Sequence, residues 1–155
     1  MRESTVVDFP GNLAGITDAD QLLQLTLRQF HAETGTIHVL GPDGLLHLRA
    51  AAGSLPPPVM EAIRVIPVGK GIAGQAVAQA KPVNICNIQT DAGGVVRPGA
   101  RQTGVQGSLC VPLMVEGRAV GALGIGTYGE REFTLSEMEL LLEAACYIGQ
   151  ALWNS

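Results

Sequence analysis

Apolar positions fall into a helical stripe near each end of the chain, with alternating runs between them. Behind Asp18 and Asp20, which suit a positive helix N-terminus, Leu22, Leu23, Leu25, Leu27 and Phe30 recur at helical spacing and predict a first helix ending near Gly35. Towards the other end, Met138, Leu141, Leu142, Ala145, Ile148 and Leu152 form one stripe, and Leu140, Ala144, Tyr147 and Ala151 widen it. So broad an apolar surface predicts a second packing partner besides the sheet, either the first helix or another subunit. The start of this last helix is written as a capping box: Thr134 as N-cap, Glu137 three residues on, and Phe133 placed to staple Met138.

Two alternating runs, residues 36–40 and 45–49, flank Gly41-Pro42-Asp43-Gly44 and predict a hairpin. If Leu40 faces Leu45, His38 and His47 become cross-strand neighbours, on a half-polar face shared with Thr36 and Arg49. The imidazole pair is read as a candidate pocket lining rather than as a metal site. Pro56-Pro57-Pro58 opens a short helix through Ile63, and residues 83–88 read as a strand. Residues 108–115 and 118–126 form a second, more apolar hairpin about Glu116-Gly117, with Pro112 expected at an edge, a bulge or a kink. Its glycines suggest backbone that another element approaches closely. Residues 1–17 lack such a pattern and read as an arm ahead of a single domain, 18–155.

One segment invites a nucleotide-binding reading. Gly69-Lys70-Gly71-Ile72-Ala73-Gly74 matches the G-x-G-x-x-G spacing of a dinucleotide-binding turn. Its context differs, because Pro67 cuts off the strand in front, Lys81-Pro82 ends the helix behind, and a hairpin follows instead of further alternating strands and helices. The glycines are therefore read as turning a loop into a helix mouth.

Composition narrows the classes further. A chain of 155 residues with 46% hydrophobic and 15% charged residues, 20 glycines and 9 prolines suits one compact domain with many tight turns. Ten basic residues against 14 acidic ones, with 4% aromatics, disfavour nucleic-acid binding. Cys86, Cys110 and Cys146 are odd in number and widely spaced, which points to a reducing compartment and gives no zinc signature. With no secretion signal and no membrane-spanning run, a cytoplasmic location away from membranes is expected. Residues 89–106 form a polar, glycine-rich loop holding Asp91, Arg97, Arg101, Gln102 and Thr103. Arginine forks suit a carboxylate or phosphate, so these residues are either ligand-orienting or simply solvated.

Pro67-Val68-Gly69-Lys70-Gly71-Ile72-Ala73-Gly74, Val111-Pro112-Leu113, Gly121-Ala122-Leu123 and Phe133-Thr134 ahead of a helix together resemble the GAF domain family of small-molecule sensor modules. The resemblance implies an α+β, PAS-related fold: an antiparallel sheet with N- and C-terminal helices on one face, and short helices plus a long loop over a pocket on the other. It implies Thr36 and His38 as pocket wall, and the segment from Asp91 to Thr103 as lid. Many members carry an Arg-Ser pair ahead of the Val-Pro-Leu strand; this chain has Gly107-Ser108, keeping Ser108 as a candidate and removing one cation.

Subfamily marks are missing. Members that reduce free methionine sulfoxide carry a cysteine where this chain has Ala73, and residues 89–106 contain none. Residues 71–80 offer no Cys or His to anchor a bilin, and the Asn-Lys-Phe-Asp-Glu signature of cyclic-nucleotide members is absent. The expectation is a non-catalytic sensor of a small polar or anionic ligand, without cofactor or metal, in which lid ordering biases the terminal helices. A homodimer through those helices and a separate effector protein are the expected partners. Two alternatives stand beside it: a thiol-dependent reductase using Cys86 and Cys110, and a dimerisation module with a vestigial pocket.

Overall fold

In the computed structural model, which describes residues 8–89 and 104–153, the chain runs α1 (Ala19–Phe30), β1 (Thr34–Leu40), β2 (Leu45–Ala52), α2 (Pro57–Ile63), β3 (Val65–Pro67), α3 (Gly71–Gln79), β4 (Val83–Ile85), β5 (Gly107–Val115), β6 (Arg118–Thr127) and α4 (Leu135–Trp153). The strands form one six-stranded antiparallel sheet in the order β3-β2-β1-β6-β5-β4. The α+β class, with this sheet and its helices, is the one the sequence predicts.

The terminal helices cover one face. In α1, Asp18 caps the start through the Asp20 N–H (3.0 Å), and Leu22, Leu23, Leu27 and Phe30 are buried. The helix stops earlier than Gly35 because His31 turns left-handed (φ +53°) and the chain from Thr34 is recruited into pairing with β6. In α4 the capping box forms as written: the Thr134 N–H donates to Glu137 (2.9 Å) and the Glu137 N–H to Thr134 Oγ1 (3.1 Å). Leu141, Ala144, Ala145, Ile148 and Leu152 then join α1 and the sheet in the main core. The described end of the expected arm is docked on it, with Leu13 only 1% exposed and Phe9 edge-on to Phe30.

Both hairpins form, but the first has a different register. The Gly41 N–H donates to Leu45 O (2.8 Å), leaving a three-residue tip that closes through left-handed Gly44 (φ +79°). Leu40 therefore faces Leu46, Val39 faces His47 and His38 faces Leu48. A one-residue shift exchanges the faces of the sheet, so His38 and His47 are not cross-strand neighbours. The second hairpin turns on Glu116 (φ +52°) and Gly117 (φ +78°), the two left-handed residues of a type I′ turn. Pro112 lies beyond the end of β4, where its missing N–H is not needed, and the register shifts just past it between Leu113 and Met114.

The strand expected over 83–88 is confined to Val83–Ile85. After Ile85 the chain leaves the ladder, and the Cys86 carbonyl accepts from the Arg131 N–H (3.2 Å). The glycine turn is structural: Gly69 and Gly71 are left-handed, and a Cβ on Gly74 would sit 2.7 Å from Pro67 O. Gly69 also donates to Gly74 O (2.9 Å), holding the loop against the first turn of α3.

Candidate functional site

Strand alternation builds a cavity of about 480 Å³ on the face opposite the terminal helices. At the middle of the sheet two rows of residues cross three strands: Thr34 pairs with Gly126 and Gly126 with Ser108, while Thr36 pairs with Gly124 and Gly124 with Cys110. The intervening positions, Ile37, Leu123, Ile125, Leu109 and Val111, point the other way into the helix-side core. The cavity floor thus runs along β6 past two glycines, Gly126 being covered by the Thr34 and Val105 side chains, and is rimmed by small hydroxyl and thiol groups. A Cβ on Gly124 would lie 3.3 Å from Thr36 Oγ1 and 3.7 Å from Cys110 Sγ; one on Gly126 would lie 2.6 Å from Thr34 Oγ1.

Walls come from α2 and α3. Val59, Ala62 and Ile63 approach from α2, Ile72 and Ala73 from α3, and Ile66 from β3, making that side aliphatic. The N-terminus of α3 opens on the cavity through Gly71, Ile72 and Ala73, and Lys70 at the N-cap position supplies no side-chain cap. Those first amide groups are the positive end of the helix.

His38 lines the same space and is 1% exposed. Its Nε2–H donates to the Ile63 carbonyl at the C-terminal end of α2 (2.8 Å), which leaves Nδ1 as an acceptor, buried and without a partner. Burial holds the imidazole pKa below its ordinary value; the Ile63 carbonyl opposes that shift and the nearby His47 adds to it. A neutral ring that clamps a covering helix to the sheet is the result.

Of the residues singled out in the sequence, Thr36, His38 and Ser108 come together on this floor. Neither the Thr36 nor the Ser108 hydroxyl bonds to another described residue. His47 does not line the cavity: it sits near the hairpin tip, where Nε2–H donates to the Asp43 carboxylate (2.9 Å). Asp91, Arg97, Arg101, Gln102 and Thr103 lie outside the described residues. The floor residues Gly124 and Gly126, the wall from α2 and α3, and Lys70 were not picked from sequence as site residues; the glycines of 118–126 carried a signal of close approach.

Cys110, on the floor, is fully buried, and burial pushes its thiol pKa up to about 12. Cys86 is exposed; desolvation, then Glu130 and Glu132, raise its pKa as well. Their strands do pair, but Cys110 faces Val83, and Cys86 lies past the end of β4. Among the described residues no three His, Cys, Asp or Glu side chains gather to hold a metal ion, and no helix is long and apolar enough to cross a membrane.

The arrangement is thus an antiparallel sheet with terminal helices on one face and a small-molecule-sized cavity on the other. The family model for the GAF domain matches residues 17–152, and the chain belongs to that family. The fold is similar to the GAF domain of an Acinetobacter phosphoenolpyruvate-protein phosphotransferase, with TM-score 0.72 at 17% identity, covering 87% of this chain and 80% of that one. It is also similar to a free methionine-R-sulfoxide reductase from Neisseria meningitidis solved with its substrate, with TM-score 0.74 at 20% identity, covering 92% and 82%. A third similar structure is the GAF domain region of a putative membrane protein from Geobacter sulfurreducens, with TM-score 0.73 at 19% identity, covering 88% and 91%. At such identities the likeness establishes the fold alone. Among curated proteins no sequence match was found.

Proposed function

We propose that this domain is a non-catalytic regulatory module that binds a small polar or anionic ligand in the cavity and reports occupancy through its terminal helices. The observation that carries the reading is a 480 Å³ cavity whose unbonded Thr36 and Ser108 hydroxyls face an uncapped helix N-terminus. A route to the helices supports the second half. Ile88 and Val105 line the cavity, and the base of the intervening loop is held by Ile88 N–H to Gln106 O (2.7 Å) and Gln89 Nε2–H to Val105 O (2.8 Å). Cys86 in turn accepts from Arg131, whose guanidinium donates to Phe30 O (2.7 Å) at the end of α1 and to Glu137 (2.6 Å) at the start of α4. Arg131 therefore touches both terminal helices through its guanidinium and, through its backbone N–H, the segment leading to the loop.

Ligand titration by calorimetry, with hydrogen exchange on the loop and α4, tests the reading. Binding should protect both regions. Failure of a broad metabolite set to bind would sink it. Packing of α4 against a second copy is the proposed route to an effector protein, and sedimentation of the free chain checks it.

A thiol-dependent reductase of free methionine sulfoxide is the second reading, favoured by Cys110 on the cavity floor. A thiol held near pKa 12 supplies almost no thiolate at neutral pH, and no second thiol joins it in the described lining. Turnover in a reductant-coupled assay, abolished by Cys110→Ser, would favour the enzyme.

A further inference from the structure

We infer that the cavity takes a short aliphatic hydroxy acid: a carboxylate at one end, a branched hydrocarbon body, and a hydroxyl on the floor side. The inference rests on the ligand-binding reading above and narrows it to one chemical class. Three parts of the cavity set that class separately. Val59, Ile63, Ile66 and Ile72 offer a body-length aliphatic wall. Across from it, Gly124 keeps the floor low between Thr36 Oγ1 and Cys110 Sγ, whereas Gly126 lies under the Thr34 and Val105 side chains. The body is therefore hydrocarbon and narrow.

One end carries positive charge. Gly71, Ile72 and Ala73 bring the first turn of α3 to this end, and Lys70, just ahead of them, is the only Lys, Arg, Asp or Glu among the described lining residues. An anion is matched there, whereas among the described lining residues no carboxylate stands ready for an amine. The floor supplies the third part. His38 Nδ1 is a buried acceptor with no partner, beside the unbonded hydroxyl of Thr36 on the same face of β1. An unsatisfied buried acceptor calls for a donor, and a hydroxyl on the ligand supplies one without bringing in a second charge. The neutral state of His38 fits that role, since a protonated ring would have no acceptor to offer.

The test is calorimetric titration of the whole chain with 2-hydroxy-4-methylpentanoate, 4-methylpentanoate, 3-methylbutylamine and adenosine monophosphate. The hydroxy acid should bind best, loss of its hydroxyl should weaken binding about five- to tenfold, and the amine should not bind. Lys70→Gln should weaken both acids about two- to fivefold. Thr36→Val should shrink the difference between them, and Gly124→Val should abolish binding. Thermal melts accompany each variant; if Gly124→Val unfolds, Lys70→Gln and Thr36→Val decide the matter. Tighter binding of the amine or the nucleotide, or acid binding indifferent to both Lys70→Gln and Thr36→Val, would overturn the ligand class while leaving the sensor reading intact. Silence from all four probes also overturns the class, and only silence from a broad metabolite set removes the sensor reading with it.

Discussion

The two faces of the sheet are made from the same strands and have opposite characters. On β6 alone, Leu123 and Ile125 are buried in the helix-side core, while Gly124 and Gly126, each one residue away, line the cavity floor. The helix face is filled by large side chains in continuous contact, which is where the stability of a domain this size resides. The opposite face keeps small residues, unbonded hydroxyls and a neutral histidine, features that add little to folding and leave room for a ligand. Alternation with a period of two lets one strand serve both purposes, so substitutions at adjacent positions should have unlike effects.

The largest contrast is expected at Leu123. Leu123→Ala should cost about 2–5 kcal/mol in denaturant unfolding, because its fully buried side chain would leave a void among packed neighbours. Arg131→Met comes next, at roughly 1–3 kcal/mol, since it strips a donor from the Phe30 carbonyl and Glu137 together. It should also remove any ligand-induced protection of α4 while ligand still binds; undiminished protection would break the proposed route. Thr134→Ala should cost about 1 kcal/mol through loss of the α4 cap, read as a lowered melting temperature.

A pH series sharpens the comparison on the cavity side. His38 has a folded pKa below its ordinary 6.5, so the unfolded chain binds the proton more readily. Its stabilising effect is complete above about pH 6.5 and is lost as pH falls from there towards the lowered folded value. Melting temperature should decline over that window, and His38→Gln should flatten the decline. An unchanged slope in the variant would assign the effect to another group. Gly124→Ala should be the mildest change, below about 1 kcal/mol, since its Cβ meets only Thr36 Oγ1 and Cys110 Sγ at 3.3 and 3.7 Å.

Local signals were the ones legible in the sequence. The capping box of α4 spans Thr134 to Glu137 and forms as read, and the Glu116-Gly117 turn likewise needs only its own residues. The register of the first hairpin was misread because the left-handed Gly44 brings Gly41 into the ladder, and a shift of one residue moved His47 away from His38. Part of the floor came with the family resemblance, which marks Thr36 and His38 as pocket wall and keeps Ser108 as a candidate. The aliphatic wall was not legible, because it depends on where α2 and α3 are carried by the β3 edge and the glycine turn, which no run of adjacent residues encodes. The family resemblance supplied the arrangement of layers that periodicity alone left open.

The seam between β1 and β6 joins segments from opposite ends of the chain, while the hairpins β1–β2 and β5–β6 each close through a tight local turn. Folding should therefore proceed by early formation of two independent hairpins, followed by a slower zipping of one against the other. Kinetic analysis of Ile37→Val, at the seam, against a variant in the Glu116-Gly117 turn would time the two events. Because the cavity floor straddles that seam, the ligand site comes into existence only at the last step, when the molecule as a whole does.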